Sequence, residues 1–252
     1  MKNLIITILA GGSGKRMNSE LPKVLHLVNG IPMIVKLITE IINLNPYKII
    51  IVVGKTKNII ISTIEKYFNV NNLNIIFAEQ LIPLGTGNAV LSTLDILEDN
   101  FINLIVNGDN PMLTVETINS AIKNFIINNS QLQITSIYAN NPTGNGRIIL
   151  YENEFHKIIE EKDCTDEQKK INLVNCGIYV ANTNILKKYI PQINNNNAQN
   201  EYYLTDIVEI CKNTNAIKIT LFIIDKNKEL EIININTREQ LDHLNNTLSI
   251  KN

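Results

Sequence analysis

The chain has 252 residues, 44% of them hydrophobic and 19% charged, which is enough apolar material for one large core or a core with a smaller annex. A formal net charge of −1 gives no electrostatic reason to expect nucleic acid or an anionic membrane as a partner, so any cationic site has to be local. Three cysteines without a CxxC pair speak against a disulfide framework and against zinc; with no stretch near the ~18 uninterrupted apolar residues of a membrane span, the expected setting is the reducing cytoplasm.

In chain order, the first predicted element is the apolar run LIITIL from Leu4, a buried strand. Its surroundings, MKNLIITILAGG, do not make a signal peptide, because the run is short and empties into Gly, Lys and Arg instead of a small-residue cleavage site. KIIIVV from Lys48, LNIIFA from Leu73 and INLIVN from Ile102 are further strands. Segments of helical period lie between them, expected to start near Pro32, near Lys57 and near Thr86, with another after Thr114; Pro32 suits a first helical position. This alternation is the signature of parallel strands joined by crossover helices.

Beyond Gln131 the pattern changes. QLQITSIYA, RIILYE, FHKIIEE and NLVNCGIYVA are strand-like with few long helices between them, and predict a mixed or antiparallel extension that roofs a site. AIKITLFII returns to a strand, and a polar helix follows from about Arg238. The run NNNN at Asn194 to Asn197 reads as compositional bias in a solvated loop. The expected fold class is α/β: a mixed, mostly parallel sheet with helices on both faces and a small antiparallel extension. In such a sheet ligands bind beyond the carboxyl ends of the strands.

LAGGSGKRMNSELPK sits at that place. Three glycines let backbone N–H groups approach a ligand closely, and Lys15, Arg16 and Lys23 make the ligand anionic. Two familiar phosphate motifs fail here. A Walker loop needs glycine where Leu9 stands and Ser or Thr where Arg16 stands, and the dinucleotide fingerprint needs glycine at Met17. The loop is therefore a phosphate cradle of a third kind or a tight connection only.

Taken in order, LAGGSGKRMNSELPK, QLIPLGTGNA, NGDNP, NPTGNGR, IIEEKDCTDEQ and NAQNEYYLTD form a specific set. They resemble the N-acetylglucosamine-1-phosphate uridylyltransferases, the pyrophosphorylase half of a bifunctional enzyme of bacterial cell-wall precursor synthesis, over residues 3 to about 245. The resemblance implies a Rossmann-like nucleotide-diphospho-sugar transferase fold, with residues 1–235 as the catalytic domain and 236–252 as a tail. It also implies UTP and N-acetylglucosamine-1-phosphate as partners and Mg²⁺ as cofactor. By that resemblance Leu9, Ala10, Gly11 and Gly12 face the nucleotide, Arg16 and Lys23 grip its phosphates, Gln80 reads the pyrimidine edge, and Gly85 and Thr86 present a helix start. Asp109 and Asn236 are the implied metal ligands, with Asn234 a competitor for the second place. The sugar pocket implied is Asn107, Gly146, Glu160, Asn175, Glu201, Tyr203 and Thr205, with Lys162 and Asp163 in support.

The chain also departs from the family pattern. Asn107 and Asn145 stand where tyrosines are usual, each removing a ring near the sugar. No hexapeptide period follows, so acetyl transfer is not expected. A related transferase with another sugar or nucleotide is the nearest rival reading. A non-catalytic sugar-nucleotide-binding subunit is the rival from another class, and such a protein would dispense with Arg16, Lys23 or Asp109, all of which are present.

Overall fold

The computed structural model describes residues 3–250 except 13, 153 and 215. Its strands are β1 (Leu4–Leu9), β2 (Leu27–Val28), β3 (Ile31–Pro32), β4 (Lys48–Val53), β5 (Ile75–Glu79), β6 (Ile102–Asn107), β7 (Leu132–Tyr138), β8 (Arg147–Tyr151), β9 (Glu154–Ile159), β10 (Leu173–Asn182) and β11 (Ile219–Ile223). The helices are α1 (Met33–Ile42), α2 (Lys57–Tyr67), α3 (Thr86–Leu91), α4 (Val115–Ile127), α5 (Asp166–Lys169), α6 (Thr183–Tyr189), α7 (Ile207–Lys212) and α8 (Arg238–Ser249). No described helix is long and apolar enough to cross a membrane.

The main sheet runs β11-β7-β10-β6-β1-β4-β5, and within it only β10 opposes its neighbours. Successive side chains of a strand point to opposite faces, so a strand buried on both is apolar except where a polar side chain is paired, as the Thr7 hydroxyl is by accepting from Asn103 Nδ2 at 3.0 Å. β1 shows this directly: Leu4, Ile6 and Ile8 join one core layer and Ile5 the other. α1 covers the first layer with Ile34, Leu37, Ile38 and Ile41, the i, i+3, i+4, i+7 spacing of a single helical stripe, and α2 and α4 pack beside it. α3, α6 and α7 cover the second layer. Burying each Ile or Leu side chain fully stabilises the fold by about 1.5–3 kcal/mol before ordering entropy is subtracted.

β10 leaves the parallel order and reaches past the sheet. It pairs with β7 at both ends and with β6 along its later half, while Val174 also pairs with Arg147 of β8, which forms an antiparallel hairpin with β9. That hairpin is the expected small extension. Its anchor is Arg147, whose guanidinium is 1% exposed; it pairs with Glu161 at 2.6 Å and donates to the Lys169 carbonyl at 3.2 Å. A buried charge needs such partners, because an unpaired one would cost several kcal/mol. α8 closes the other side, packing Leu241 and Leu244 with Met17, Val28, Met33 and Ile235.

Candidate active site

Four parallel strands end level with one another. Leu9 lies opposite Val52 and Asn107, and Val53 lies opposite Glu79. The chain leaving each strand is tied to its neighbour: Ala10 N–H donates to Val52 O at 2.9 Å, Gly108 N–H to Leu9 O at 2.9 Å, and Gln80 N–H to Val53 O at 2.8 Å. These bonds satisfy the first backbone groups of the loops, which then diverge around a cavity of about 400 Å³. Its wall carries Leu9, Ala10, Gly11 and Gly12 from the first loop, Gln80, Gly85 and Thr86 from the third, and Glu201 from the 201–205 segment.

One corner of this cavity is cationic. Lys23 Nζ forms an ion pair with Asp109 Oδ2 and donates to Asn236 Oδ1 at 3.0 Å. Arg16 Nη2 donates to the same Asn236 oxygen, also at 3.0 Å. The second Asp109 oxygen is buried and has no hydrogen-bond partner among the described residues. Asn236 is held there by a chain of bonds: Ile235 N–H donates to the Asp109 carbonyl at 2.9 Å, and Asn236 N–H to Gln240 Oε1 at 2.7 Å. Gln240 is itself the third residue of a capping box with Thr237, so the first turn of α8 sets the position of the asparagine.

A second cavity of about 180 Å³ continues from this corner under the β8–β9 hairpin. Here β10 carries an irregularity between Asn175 and Tyr179. The Asn175 side chain organises it, accepting from Gly177 N–H at 3.1 Å and donating to the Tyr179 hydroxyl at 2.7 Å. Gly177 has φ +70°, and a Cβ there would stand 2.4 Å from Asn107 Nδ2, so no other residue fits without displacing Asn107. Glu160 faces the same space and accepts from the Thr205 hydroxyl at 3.0 Å. Burial pushes the Glu160 carboxyl above the usual range; the Thr205 bond pulls it back, and the Asp206, Asp163 and Glu201 charges add to the rise. Burial likewise raises the Tyr179 and Tyr203 hydroxyls and lifts Asp206 to about 6, with Glu209 and Asp163 contributing to the last.

Of the residues assigned to the nucleotide, the metal and the sugar, all but Tyr203 line one or both cavities, whereas the supporting Lys162 and Asp163 line neither. Tyr203 is buried, in the segment whose Leu204 N–H donates to Thr86 Oγ1 at 3.0 Å. Glu201, grouped with the sugar pocket, lines the first cavity instead. The helix start lies where it was expected, with Gly85 the N-cap and Thr86 the first helical residue. Asn236 meets Lys23 and Arg16, whereas Asn234 turns toward Asn107 and the Cys176 carbonyl, each at 3.5 Å. Gly144, Gly177, Tyr179 and Leu204 also line the second cavity and were not anticipated. An isolated glycine inside a strand pattern is a bulge signal, and it was available for Gly177.

The profile of the Nucleotidyl transferase family matches residues 5–225. The chain is 56% identical over 243 residues to the "Probable UDP-N-acetylglucosamine pyrophosphorylase" of Acanthamoeba polyphaga mimivirus, covering 96% of this chain and 94% of that one. It is 38% identical to the "Bifunctional protein GlmU" of Ruthia magnifica subsp. Calyptogena magnifica, covering 99% of this chain and 53% of that one, so it spans about half the length of this bifunctional relative. In fold it is similar to a crystal structure from Bacillus anthracis provisionally assigned as a glucose-1-phosphate thymidylyltransferase, with a TM-score of 0.76 at 18% identity over 97% and 94% of the two chains. A glycine-paved loop and paired cations at the mouth of β1, on a sheet of this order and with this degree of likeness, identify the chain as a member of the nucleotidyl transferase family.

Proposed function

We propose that the protein transfers a uridylyl group from UTP to N-acetylglucosamine-1-phosphate, forming UDP-N-acetylglucosamine and pyrophosphate. The observation that carries this reading is that Arg16, Asp109 and Asn236 line both cavities. A nucleotide in the larger space and a sugar phosphate in the smaller one meet at one charged corner. One relative's name supports the chemistry: the "Probable UDP-N-acetylglucosamine pyrophosphorylase" at 56% identity is named for this nucleotide sugar and for pyrophosphate.

Both substrates are polyanions, so repulsion is the first obstacle to bringing them together. Arg16 offers a planar fork and Lys23 a compact charge, and together they hold the triphosphate while the sugar phosphate aligns for in-line attack. A phosphate oxygen of the sugar substrate then bonds to the α-phosphorus as the bond to the β-phosphate bridging oxygen breaks, and pyrophosphate departs with that electron pair. Preorganised positive charge at the departing group stabilises the transition state. The Gln80 amide reads the pyrimidine edge beside Gly11, and Glu160, Asn175 and Thr205 bind hydroxyls of the sugar. No covalent intermediate is required.

The donor set at the corner fits a hard divalent cation. Asp109 Oδ2 and Asn236 Oδ1 already converge on one cationic centre, the Lys23 ammonium, and Asp109 Oδ1 is buried without a partner among the described residues. Mg²⁺ held by Asp109 and Asn236 would neutralise phosphate charge when bound. Residues 1–235 then form the transferase unit, and residues 236–252 supply the closing asparagine and its helix. The test is pyrophosphate release from UTP and N-acetylglucosamine-1-phosphate with and without Mg²⁺, run beside a panel of other nucleotides and sugar phosphates. Turnover restricted to the uridylyl pair upholds the reading, and faster turnover of another pair replaces it.

A further inference from the structure

We infer that Asn88, together with the Gly85 carbonyl, fixes the sense of the Gln80 amide and thereby makes the first cavity select uracil over cytosine. The inference rests on the uridylyl reading of that cavity, in which Gln80 meets the base.

A side-chain amide has a donor end and an acceptor end, and which end faces a ligand decides what the ligand must present. Gln80 is 6% exposed, so it lies in a fixed frame of neighbours. Its Nε2 lies 3.0 Å from the Gly85 carbonyl oxygen and 2.8 Å from Asn88 Oδ1. A backbone carbonyl can only accept. The Gln80 atom facing it is therefore the NH₂ group, and the opposite sense would set two oxygens against each other. Asn88 takes the second proton of that group. Both Gln80 donors are thus used inside the protein, by a loop carbonyl and by a side chain of the first turn of α3.

Gln80 Oε1 accepts no hydrogen bond from any described residue, and Gln80 lines the cavity. It lies beside Gly11: a Cβ built on that glycine would stand 3.0 Å from it, so only the missing side chain leaves a path along which a base edge can reach the oxygen. The cavity thus offers an acceptor at this point. Uracil presents N3–H, a donor, whereas neutral cytosine presents a bare N3 lone pair, so a cytidine nucleotide would place acceptor against acceptor. Such mismatches of a fixed hydrogen-bonding edge are worth about 1–3 kcal/mol, or roughly tenfold to a hundredfold in selectivity. Asn88 does not touch the base in this arrangement; it is a positioning residue acting through Gln80.

The sharpest readout is a ratio, because a general disturbance of α3 affects both nucleotides alike. The kcat/KM values for UTP and CTP are measured at saturating sugar phosphate for the parent, Asn88→Ala and Asn88→Asp, and UDP and CDP affinities are measured on the same proteins by calorimetry. The Ala variant frees one Gln80 proton and is expected to lower the uridine-to-cytidine ratio about tenfold. The Asp variant can only accept, as the inferred role demands, and keeps the parent ratio even where its charge weakens both nucleotides. An Asn88→Ala ratio within about twofold of the parent in either assay overturns the inference, as does an Asp variant that loses selectivity as fully as Ala. A parent that distinguishes UDP from CDP without catalysing release of pyrophosphate overturns the transferase reading but leaves Asn88 to the binding ratios. A parent that binds neither overturns both.

Discussion

The two cavities are built from different materials. The larger one, at the ends of β1, β5 and β6, presents glycine backbone and two cations, with the Asp109 and Glu201 carboxyls and three amides, of which Gln80 has both donors already used. The smaller one, under the β8–β9 hairpin, presents carboxyl, amide and hydroxyl side chains bonded to one another before any ligand arrives: Thr205 to Glu160, Asn175 to Tyr179, Gly177 to Asn175. Backbone amides and cations suit a phosphate chain, whose charge is large and whose shape is repetitive. A prebonded set of neutral and weakly charged groups suits a sugar, whose hydroxyls must each find one partner in one place. Arg16, Asp109 and Asn236 belong to both cavities, so a change there should injure both functions, whereas changes deeper in either wall should separate them.

The largest effect is expected at the shared corner. Asp109→Ala removes the partner of Lys23 and one of the proposed metal ligands, and should lower the rate of pyrophosphate release by about 10²-fold or more, the scale of losing one preorganised charge. If the division of labour is right, the apparent affinities for both substrates change with it. A rate within a few-fold of the parent would show that the corner is not where the substrates meet.

A smaller and one-sided effect is expected at Gly177. Alanine there must adopt a left-handed φ, at a cost of about 1–2 kcal/mol, and its Cβ would displace Asn107. The KM for the sugar phosphate should rise by roughly tenfold and that for UTP by clearly less, because Asn107 borders both cavities whereas Gly177 lines only the smaller. Equal increases in both would erase the distinction between the cavities.

The smallest effect concerns pH and stability beside the sugar wall. Burial holds the Asp206 carboxyl at about 6, above its ordinary value of 3.8. With the folded-state value the higher one, protonation favours the folded protein at low pH, and that contribution is lost as pH rises through about 6. Asp206→Asn is neutral throughout. It should therefore match the parent at about pH 3, below the ordinary value of 3.8, and melt higher near pH 8, by about 2–4 °C if roughly 1 kcal/mol is recovered in a chain of this size. An equal shift at both pH values would assign the effect to packing.

Much of the sheet was legible in the sequence because it depends on local pattern. LIITIL, KIIIVV and INLIVN begin and end as the strands do, since a strand buried on both faces is mostly apolar and the flanking Gly, Asn and Pro mark its limits. The β2–β3 hairpin was missed although Asn29 and Gly30, with φ of +50° and +77°, form the Asn-Gly pair that favours such turns; two-residue strands are too short to show a period. α5, α6 and α7, four to seven residues long, fail for the same reason. Asn197, inside the run read as a solvated loop, bonds Glu201 N–H at 3.2 Å and so anchors the segment leading to Thr205. The corner itself joins Arg16 to Asn236 across 220 positions, and no local periodicity carries that contact. Arg16 was marked by the cations that follow the glycine loop and Asn236 by the resemblance alone, whereas Asn88 and Gly177 meet neighbours that only the fold brings near.

The central claim is that the cationic mouth of β1 exists to hold a triphosphate at the junction of the two cavities. A crystal structure of the protein soaked with UTP tests it most directly. The expected result is phosphate oxygens on Arg16 and Lys23, the Lys23 ammonium drawn away from Asp109, and uracil N3 facing Gln80 Oε1. A nucleotide lying elsewhere, with Lys23 still paired to Asp109 and the mouth closed by the protein's own side chains, would contradict it.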